Sequence, residues 1–302
     1  MTDWSDTYSG ILSFYRCGYA ENPKGVELAV LGVPYDLGTT GRPGARFGPR
    51  AVRELSTTMA EFPWGVWPWD YDIREAFTMR DMGDVNGFIA YPERLCPVVE
   101  AKAAEILDAG ASLLGIGGDH FIALPLMRAH AKKHGPLAMI HFDAHSDTWV
   151  DEDLNHGTMF YHALKEGIIL PEHSVHVGLR TPNPDTHGID IWDANKCLAT
   201  PAEEVAAAIR ARVGDRPAYV TFDIDFLDPS YAPATGTPVV GGPSTAYARA
   251  VLQGLKGLNI VGGDQVEVAP HYETASQITA LAGATIACDI LYLMAEARKL
   301  KR

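Results

Sequence analysis

The chain has 302 residues, 47% hydrophobic and 21% charged, an ordinary globular balance that excludes collagen-like and disordered classes. Its 38 acidic residues against 25 basic ones leave a formal charge of −13, which argues against nucleic-acid binding and tolerates a cationic ligand. The cysteines, Cys17, Cys96, Cys197 and Cys288, lie far apart with no Cys-x-x-Cys pair, so reduced thiols are expected and neither a disulfide framework nor a zinc cluster is.

No uninterrupted apolar run reaches the roughly 18 residues of a membrane helix. The start Met1-Thr2-Asp3-Trp4-Ser5-Asp6 lacks the basic opening and apolar core of a secretory signal, so a cytoplasmic location is expected by default. In chain order, runs rich in Val, Ile and Leu predict strands over residues 26–35, 111–117, 137–142, 174–179, 218–224 and 258–268, continuous enough to be buried on both faces. Amphipathic stretches predict helices over 49–62, 92–109, 122–134, 157–166, 201–213, 244–256 and 276–299, several opening on proline or serine near the first turn. Residues 62–80, with Trp64, Trp67, Trp69 and two prolines, are expected to be an irregular surface excursion and an oligomer contact. The β-α alternation predicts an α/β fold in a single domain over residues 1–302, a mostly parallel sheet with helices on both faces.

Ligands in such sheets bind beyond the carboxyl ends of the strands, and polar residues gather there. His120 follows the run ending at Gly117. Asp143, His145 and Asp147 follow the run ending at Phe142, two residues apart, and Asp223 and Asp225 close a later run at the same interval. In extended chain, residues two apart share a face, so each set forms a comb of side chains. Two combs suggest two metal ions. Four aspartates and two histidines suit a divalent ion of intermediate hardness, manganese above zinc or copper. Four carboxylates and a bridging hydroxide nearly balance two divalent cations. Any one of these residues alone would read as a cap or a hydrogen-bonded core group. Together, without cations, so many buried aspartates on one rim would repel at prohibitive cost.

The motifs Gly118-Asp119-His120, Asp143-Ala144-His145-Ser146-Asp147 and Asp223-Ile224-Asp225-Phe226-Leu227-Asp228-Pro229 resemble the three signatures of the ureohydrolase family, which includes arginases and agmatinases. The stretches Thr39-Thr40-Gly41-Arg42-Pro43-Gly44-Ala45-Arg46-Phe47-Gly48-Pro49 and Ala234-Thr235-Gly236-Thr237-Pro238 resemble two of its loops. Asn155-His156-Gly157-Thr158-Met159-Phe160-Tyr161, Gly178-Leu179-Arg180-Thr181 and Ile278-Thr279-Ala280-Leu281-Ala282 are similar to bacterial agmatinases rather than arginases. The resemblance spans nearly the whole chain and implies the three-layer α/β/α arginase-like fold. It also implies that His120, Asp143, Asp147 and Asp223 hold one manganese ion and Asp143, His145, Asp223 and Asp225 the other, with Asp143 and Asp223 bridging. By the same resemblance His156 shuttles protons or orients substrate, and Glu267 pairs with a guanidinium. Gln265 departs from the family, which more often has an apolar residue there.

The chemistry implied is hydrolysis of agmatine to putrescine and urea. A guanidinium carbon is a poor electrophile, so it needs a strong nucleophile held close, which a metal-bridging hydroxide provides. Glu267 would fix the cation, and the leaving amine would be protonated through Asp147 or His156. Two other readings stay open: a guanidinobutyrase or other guanidino-acid ureohydrolase, and a catalytically silent regulatory relative. The distal pocket decides between amine and carboxylate, and neither residues 183–187 nor the tryptophan-rich stretch 62–80 is assigned to it by the sequence. The resemblance further implies a homo-oligomer, a trimer or hexamer, acting on a small cationic guanidino substrate, with no nucleic-acid or membrane partner.

Overall fold

Alternation along the strands divides the core in two. In the computed structural model, which describes residues 9–61, 67–86 and 90–301, Leu28 and Val30 pack into one apolar cluster while Ala29, Leu31 and Val33 pack into another. Leu114 and Ile116 repeat the split against Leu113, and Ile140 and Phe142 against Met139. Side chains of a strand point alternately to its two faces, so a strand apolar at every position must be covered on both.

The described strands are β1 (Leu28–Val33), β2 (Met79–Asp84), β3 (Ser112–Gly117), β4 (Ala138–Phe142), β5 (Val175–Val177), β6 (Asp190–Trp192), β7 (Ala218–Asp223) and β8 (Ile260–Val266). They form one sheet in the order β2-β1-β3-β8-β7-β4-β5-β6, every adjacent pair parallel. The helices are α1 (Gly48–Met59), α2 (Ile73–Ala76), α3 (Pro92–Asp108), α4 (Ala123–His134), α5 (Met159–Lys165), α6 (Ala194–Leu198), α7 (Ala202–Val213), α8 (Thr245–Gln253) and α9 (Ile278–Lys299). Buried residues of α1, α7, α8 and α9 join the first cluster, and those of α3, α4 and α5 the second. The three-layer α/β/α expectation is met. Local signals place several ends: Pro92 opens α3, and Ser244 caps α8 by accepting the N–H of Tyr247 at 3.1 Å.

The six expected strands and seven expected helices all lie within or across observed ones, while β2, β6, α2 and α6 add to them. Both added strands are sheet edges. β2 carries Arg80, Asp81, Gly83 and Asp84 and so lacks an apolar run; its aspartates are ion-paired to the buried Arg53. β6 has only three residues.

Within residues 62–80, the segment 62–66, including Phe62 and Trp64, lies outside the described residues, as does the N-terminal stretch 1–8. From Trp69 onward the expected surface excursion is corrected. Trp69 is 6% exposed, stacks on Tyr292 of α9 with ring centroids 4.9 Å apart, and donates its indole N–H to Asp289 at 2.8 Å. Ile73, Phe77 and Met79 are buried as well, whereas Trp67 is exposed. A buried indole needs an acceptor, and Asp289, held also by Arg249, provides one that is distant in sequence. α9, 22 residues long, is apolar enough by length and composition to cross a membrane, although Thr279, Thr285 and Asp289 leave it without an uninterrupted apolar run. In this fold it packs against β8, β3 and α1, with most of its residues buried.

The four central strands, β3, β8, β7 and β4, aim their carboxyl ends at one rim. Just past β3, Gly118 lets the chain pass close to the end of β1: a Cβ there would stand 2.1 Å from the carbonyl oxygen of Tyr35 and 2.6 Å from that of Val33. Replacing Trp69 by alanine is expected to destabilise the fold by about 3–5 kcal/mol, the usual cost of truncating a buried large aromatic. Urea unfolding followed by circular dichroism measures it, and a loss under about 1 kcal/mol would contradict the packing described.

Candidate metal centre and active site

Each central strand delivers its residues just past its last ladder bond. β3 runs through Gly117-Gly118-Asp119 to His120, which begins a single helical turn. β4 ends at Phe142, so Asp143, His145 and Asp147 lie beyond it and not on extended strand; Asp147 sits at φ 52, where the chain turns. β7 ends on Asp223, whose carboxylate accepts the N–H of Asp225 at 2.7 Å. Asp143 likewise accepts the N–H of His145 at 2.6 Å. The two-residue interval therefore brings side chains together through aspartate-capped turns, a different geometry from the strand alternation expected. Glu267 follows β8 at φ 66, a left-handed conformation uncommon for a residue with a side chain, which marks it as a position worth functional attention.

These turns converge. The Nδ1 atom of His120 lies 3.0 Å from Asp143 Oδ2, 3.0 Å from Asp147 Oδ2 and 3.4 Å from Asp223 Oδ2. His145 Nδ1 lies 3.4 Å from Asp143 Oδ1 and 3.0 Å from Asp225 Oδ2. His120, Asp143, Asp147, Asp223 and Asp225 are all buried, and His145 is partly exposed at the mouth. Two overlapping groups could each hold a metal ion: His120, His141, Asp143 and Asp147, and Asp143, His145 and Asp225, with Asp143 common to both.

The hydrogen bonds around His120 test whether cations fit. Its Nε2 lies 2.7 Å from the hydroxyl of Thr221, which gives its own hydrogen to Asp264 Oδ1 at 2.6 Å, while Asp264 also accepts from Tyr219. The Thr221 oxygen must then accept from Nε2–H. That leaves the lone pair of a neutral His120 on Nδ1, which makes no hydrogen bond and faces carboxylate oxygens. A lone pair among carboxylates is repulsive unless a cation lies between them, and outer partners that fix an imidazole in this way are typical of metal ligands.

The ionisation of the rim tells the same story. Burial disfavours a charged His120, yet the carboxylates of Asp143, Asp147 and Asp223 facing its Nδ1 hold its pKa well above the ordinary value. Burial likewise opposes charge on His145, but Asp225 and Asp143 push it up to about 12. Asp147 rises to about 7 through burial and the neighbouring Asp143, and burial, Asp225 and Asp143 hold Asp223 well above the usual carboxylate range. Asp143 goes the other way: burial would raise it, but His120, His141 and His145 hold it well below the carboxylate range.

All the expected ligands thus meet, and His156 and Glu267 join them from the side. His156 Nδ1 lies 3.0 Å from Glu267 Oε1, which also accepts the backbone N–H of His120 at 2.8 Å. Glu267 Oε2 is buried without a hydrogen-bond partner. Residues 183–187 lie against the turn around Asp147: Asn183 Nδ2 donates to Ser146 at 2.7 Å and Thr148 at 3.1 Å, and His187 Nε2 lies 3.1 Å from the Thr148 carbonyl. Gln265, the departure in β8, is fully buried; its Nε2 donates to the Val266 carbonyl at 2.9 Å and its Oε1 has no partner.

Several contributing residues escaped the sequence reading. His141, whose Nε2 lies 2.8 Å from Asp143 Oδ2, is pushed down to about 4 by burial and is a neutral ring stacked on His176. Its two-residue offset from Asp143 was a usable signal, as was the offset of Thr221 from Asp223. Asp264, charged in the middle of an apolar strand, was another. Thr40 and Asp119 carried no such signal.

A profile of the arginase family matches residues 26–292. The chain belongs to the arginase family. An agmatinase from Chromobacterium violaceum is 49% identical over 96% of this chain and 90% of that protein. Among solved structures, a hypothetical agmatinase from Burkholderia thailandensis superposes with a TM-score of 0.94 at 48% identity, covering 98% of this chain and 94% of that one. The proclavaminate amidino hydrolase of Streptomyces clavuligerus does so with a TM-score of 0.90 at 36% identity, covering 97% and 100%. The resemblance to ureohydrolases, and within them to bacterial agmatinases, is borne out, and the protein is an enzyme of the ureohydrolase type.

Metal loading must displace protons from His120, His145 and Asp147. Affinity for divalent ions should therefore fall progressively as pH drops, first through the range where His145, at about 12, and His120 take up protons and then through that of Asp147 at about 7, and binding at pH 7 should release protons. Titration calorimetry in buffers of different ionisation enthalpy reads this directly; a heat independent of buffer would contradict it.

Proposed function

We propose that the enzyme hydrolyses agmatine to putrescine and urea with two manganese ions. His120, Asp143, Asp147 and Asp223 would hold one ion and Asp143, His145, Asp223 and Asp225 the other, Asp143 and Asp223 being shared. The observation that carries this reading is the Nδ1 lone pair of His120 set among carboxylates beside Glu267 Oε2, a buried acceptor with no partner. When bound, the two ions would lower the pKa of coordinated water enough to supply hydroxide at neutral pH, the nucleophile that a guanidinium carbon requires.

The chain's own groups do the rest. Glu267 accepts guanidinium N–H at Oε2 while Oε1 stays tied to the His120 amide and to His156, which fixes the plane of the cation. Held so, the guanidinium carbon stays over the ligand cluster and the reaction is effectively intramolecular. The leaving amine needs a proton, and Asp147 and His156 are the candidates. Agmatine is favoured as substrate because the Chromobacterium violaceum relative, 49% identical over 96% of this chain, is an agmatinase. The proclavaminate amidino hydrolase relative keeps guanidinobutyrate and other guanidino acids as a second reading. A silent regulatory relative fits poorly, since all six ligands, His156 and Glu267 are present and assembled. The same reading includes a homo-oligomer in the cytoplasm.

Urea release by manganese-loaded protein, offered agmatine, arginine, guanidinobutyrate and guanidinopropionate in parallel, tests the substrate. Agmatine should turn over fastest; a rate no better than the acids would refute the agmatinase reading. Replacing Asp143 or Asp225 by alanine should abolish urea release with the far-ultraviolet circular dichroism unchanged. Full activity in both variants would sink the two-metal reading.

A further inference from the structure

His156 is addressed from both sides of its ring. Nδ1 meets Glu267, and Nε2 receives the backbone N–H of Thr40 at 2.9 Å while lying 2.8 Å from the Thr40 hydroxyl. A backbone amide can only donate, so the nitrogen it addresses must offer a lone pair. Glu267 pulls the other way: burial disfavours a charged ring, but the hydrogen bond to this carboxylate lifts His156 to about 9. A charged ring would carry a second N–H on Nε2, facing the Thr40 amide hydrogen across 2.9 Å, donor against donor.

The Thr40 segment is held at both ends, so it cannot simply swing aside. Gly38 donates its N–H to Asp119 Oδ2 at 2.8 Å, and its carbonyl accepts the N–H of His156 at 3.0 Å. Two residues on, Arg42 donates to the carbonyls of Gly236 at 3.0 Å and Thr235 at 2.7 Å and lies over the Tyr272 ring. Gly44 is fixed to Asp36 at 2.8 Å. His156 itself is only 8% exposed, and both hydrogen bonds at Nε2 come from Thr40.

We infer that Thr40 is a positioning residue: its amide and hydroxyl hold His156 as the neutral tautomer protonated on Nδ1, so that the ring aims Glu267 and does not relay a proton to the leaving amine. This rests on the functional reading above and narrows it. With Nδ1–H and the His120 amide both on Oε1, the carboxylate is locked and Oε2 alone is left for the guanidinium. Asp119, whose Oδ2 pins Gly38, supports the same loop from beneath.

Nitrogen-15 spectra of histidine-labelled, metal-free protein at neutral pH test the tautomer without any turnover, with the His156→Asn variant identifying the resonances. A protonated Nδ1 and an unprotonated Nε2 are expected; protonation of Nε2, alone or together with Nδ1, overturns the inference. Under turnover, Thr40→Val should lower kcat/KM about 3- to 10-fold, the worth of one neutral hydrogen bond, and Thr40→Ser should restore it. Equal activity of Thr40→Val and the unaltered protein also overturns the inference. If the unaltered protein released no urea from any guanidino compound yet showed the expected tautomer, the functional reading would fall and the tautomer assignment would stand.

Discussion

Four carboxylates buried within a few ångströms of one another are the constraint to which the rest of this structure answers. At a low local dielectric their mutual repulsion exceeds what any single hydrogen bond returns. The chain meets this with directed donors: His141 and the His145 amide on Asp143, the Asp225 amide on Asp223, the Ala144 amide and the Thr237 hydroxyl on Asp225. These donors orient the carboxylates without neutralising them. The remaining negative charge is what makes the rim a receptor for cations, first metal and then substrate.

The supports behind the rim are tied to the fold and not to loose loops. Thr221 and Tyr219 of β7 and Asp264 of β8 set the tautomer of His120, which arrives from β3. Glu267, beyond β8, joins the β3 extension twice, through its N–H to the Gly118 carbonyl and its carboxylate to the His120 amide. A shift between β3 and β8 would therefore disturb the metal ligands and the substrate carboxylate together. Sites carried by neighbouring rigid strands hold their geometry better than sites assembled on free loops.

Much of this was legible before any coordinates. Strands buried on both faces announce themselves as unbroken Val, Ile and Leu, and the six such runs became the six strands from β1 inward and on to β5. The edges did not, because an edge strand need not be apolar on both sides: β2 spends its positions on the Arg53 ion pairs, and β6 is too short to have a pattern. Trp69 read as surface because its polar partner Asp289 is 220 residues away. Asp143, His145, Asp223 and Asp225 were found by an interval that turned out to belong to turns, so the grouping held and its stated cause did not. Thr40 lies within the loop 39–49, but nothing in its side chain alone ties it to His156, 116 positions away.

The strand order has a consequence for how the protein comes together. β3 and β4 follow each other in the chain, yet β8 and β7 lie between them in the sheet, so the later pair must enter a gap left by the earlier one. Contacts of such long sequence separation form slowly, after their loop entropy has been met. The Nδ1 of His120 sits among carboxylates from β4 and β7 only once that insertion is complete. A chain lacking it offers scattered aspartates with no shared cavity, and an ion that binds only the finished arrangement shifts the folding balance towards it by mass action. The cation is in that sense a proofreader of the topology, retained by molecules whose last strands have found their places and lost by those whose strands have not.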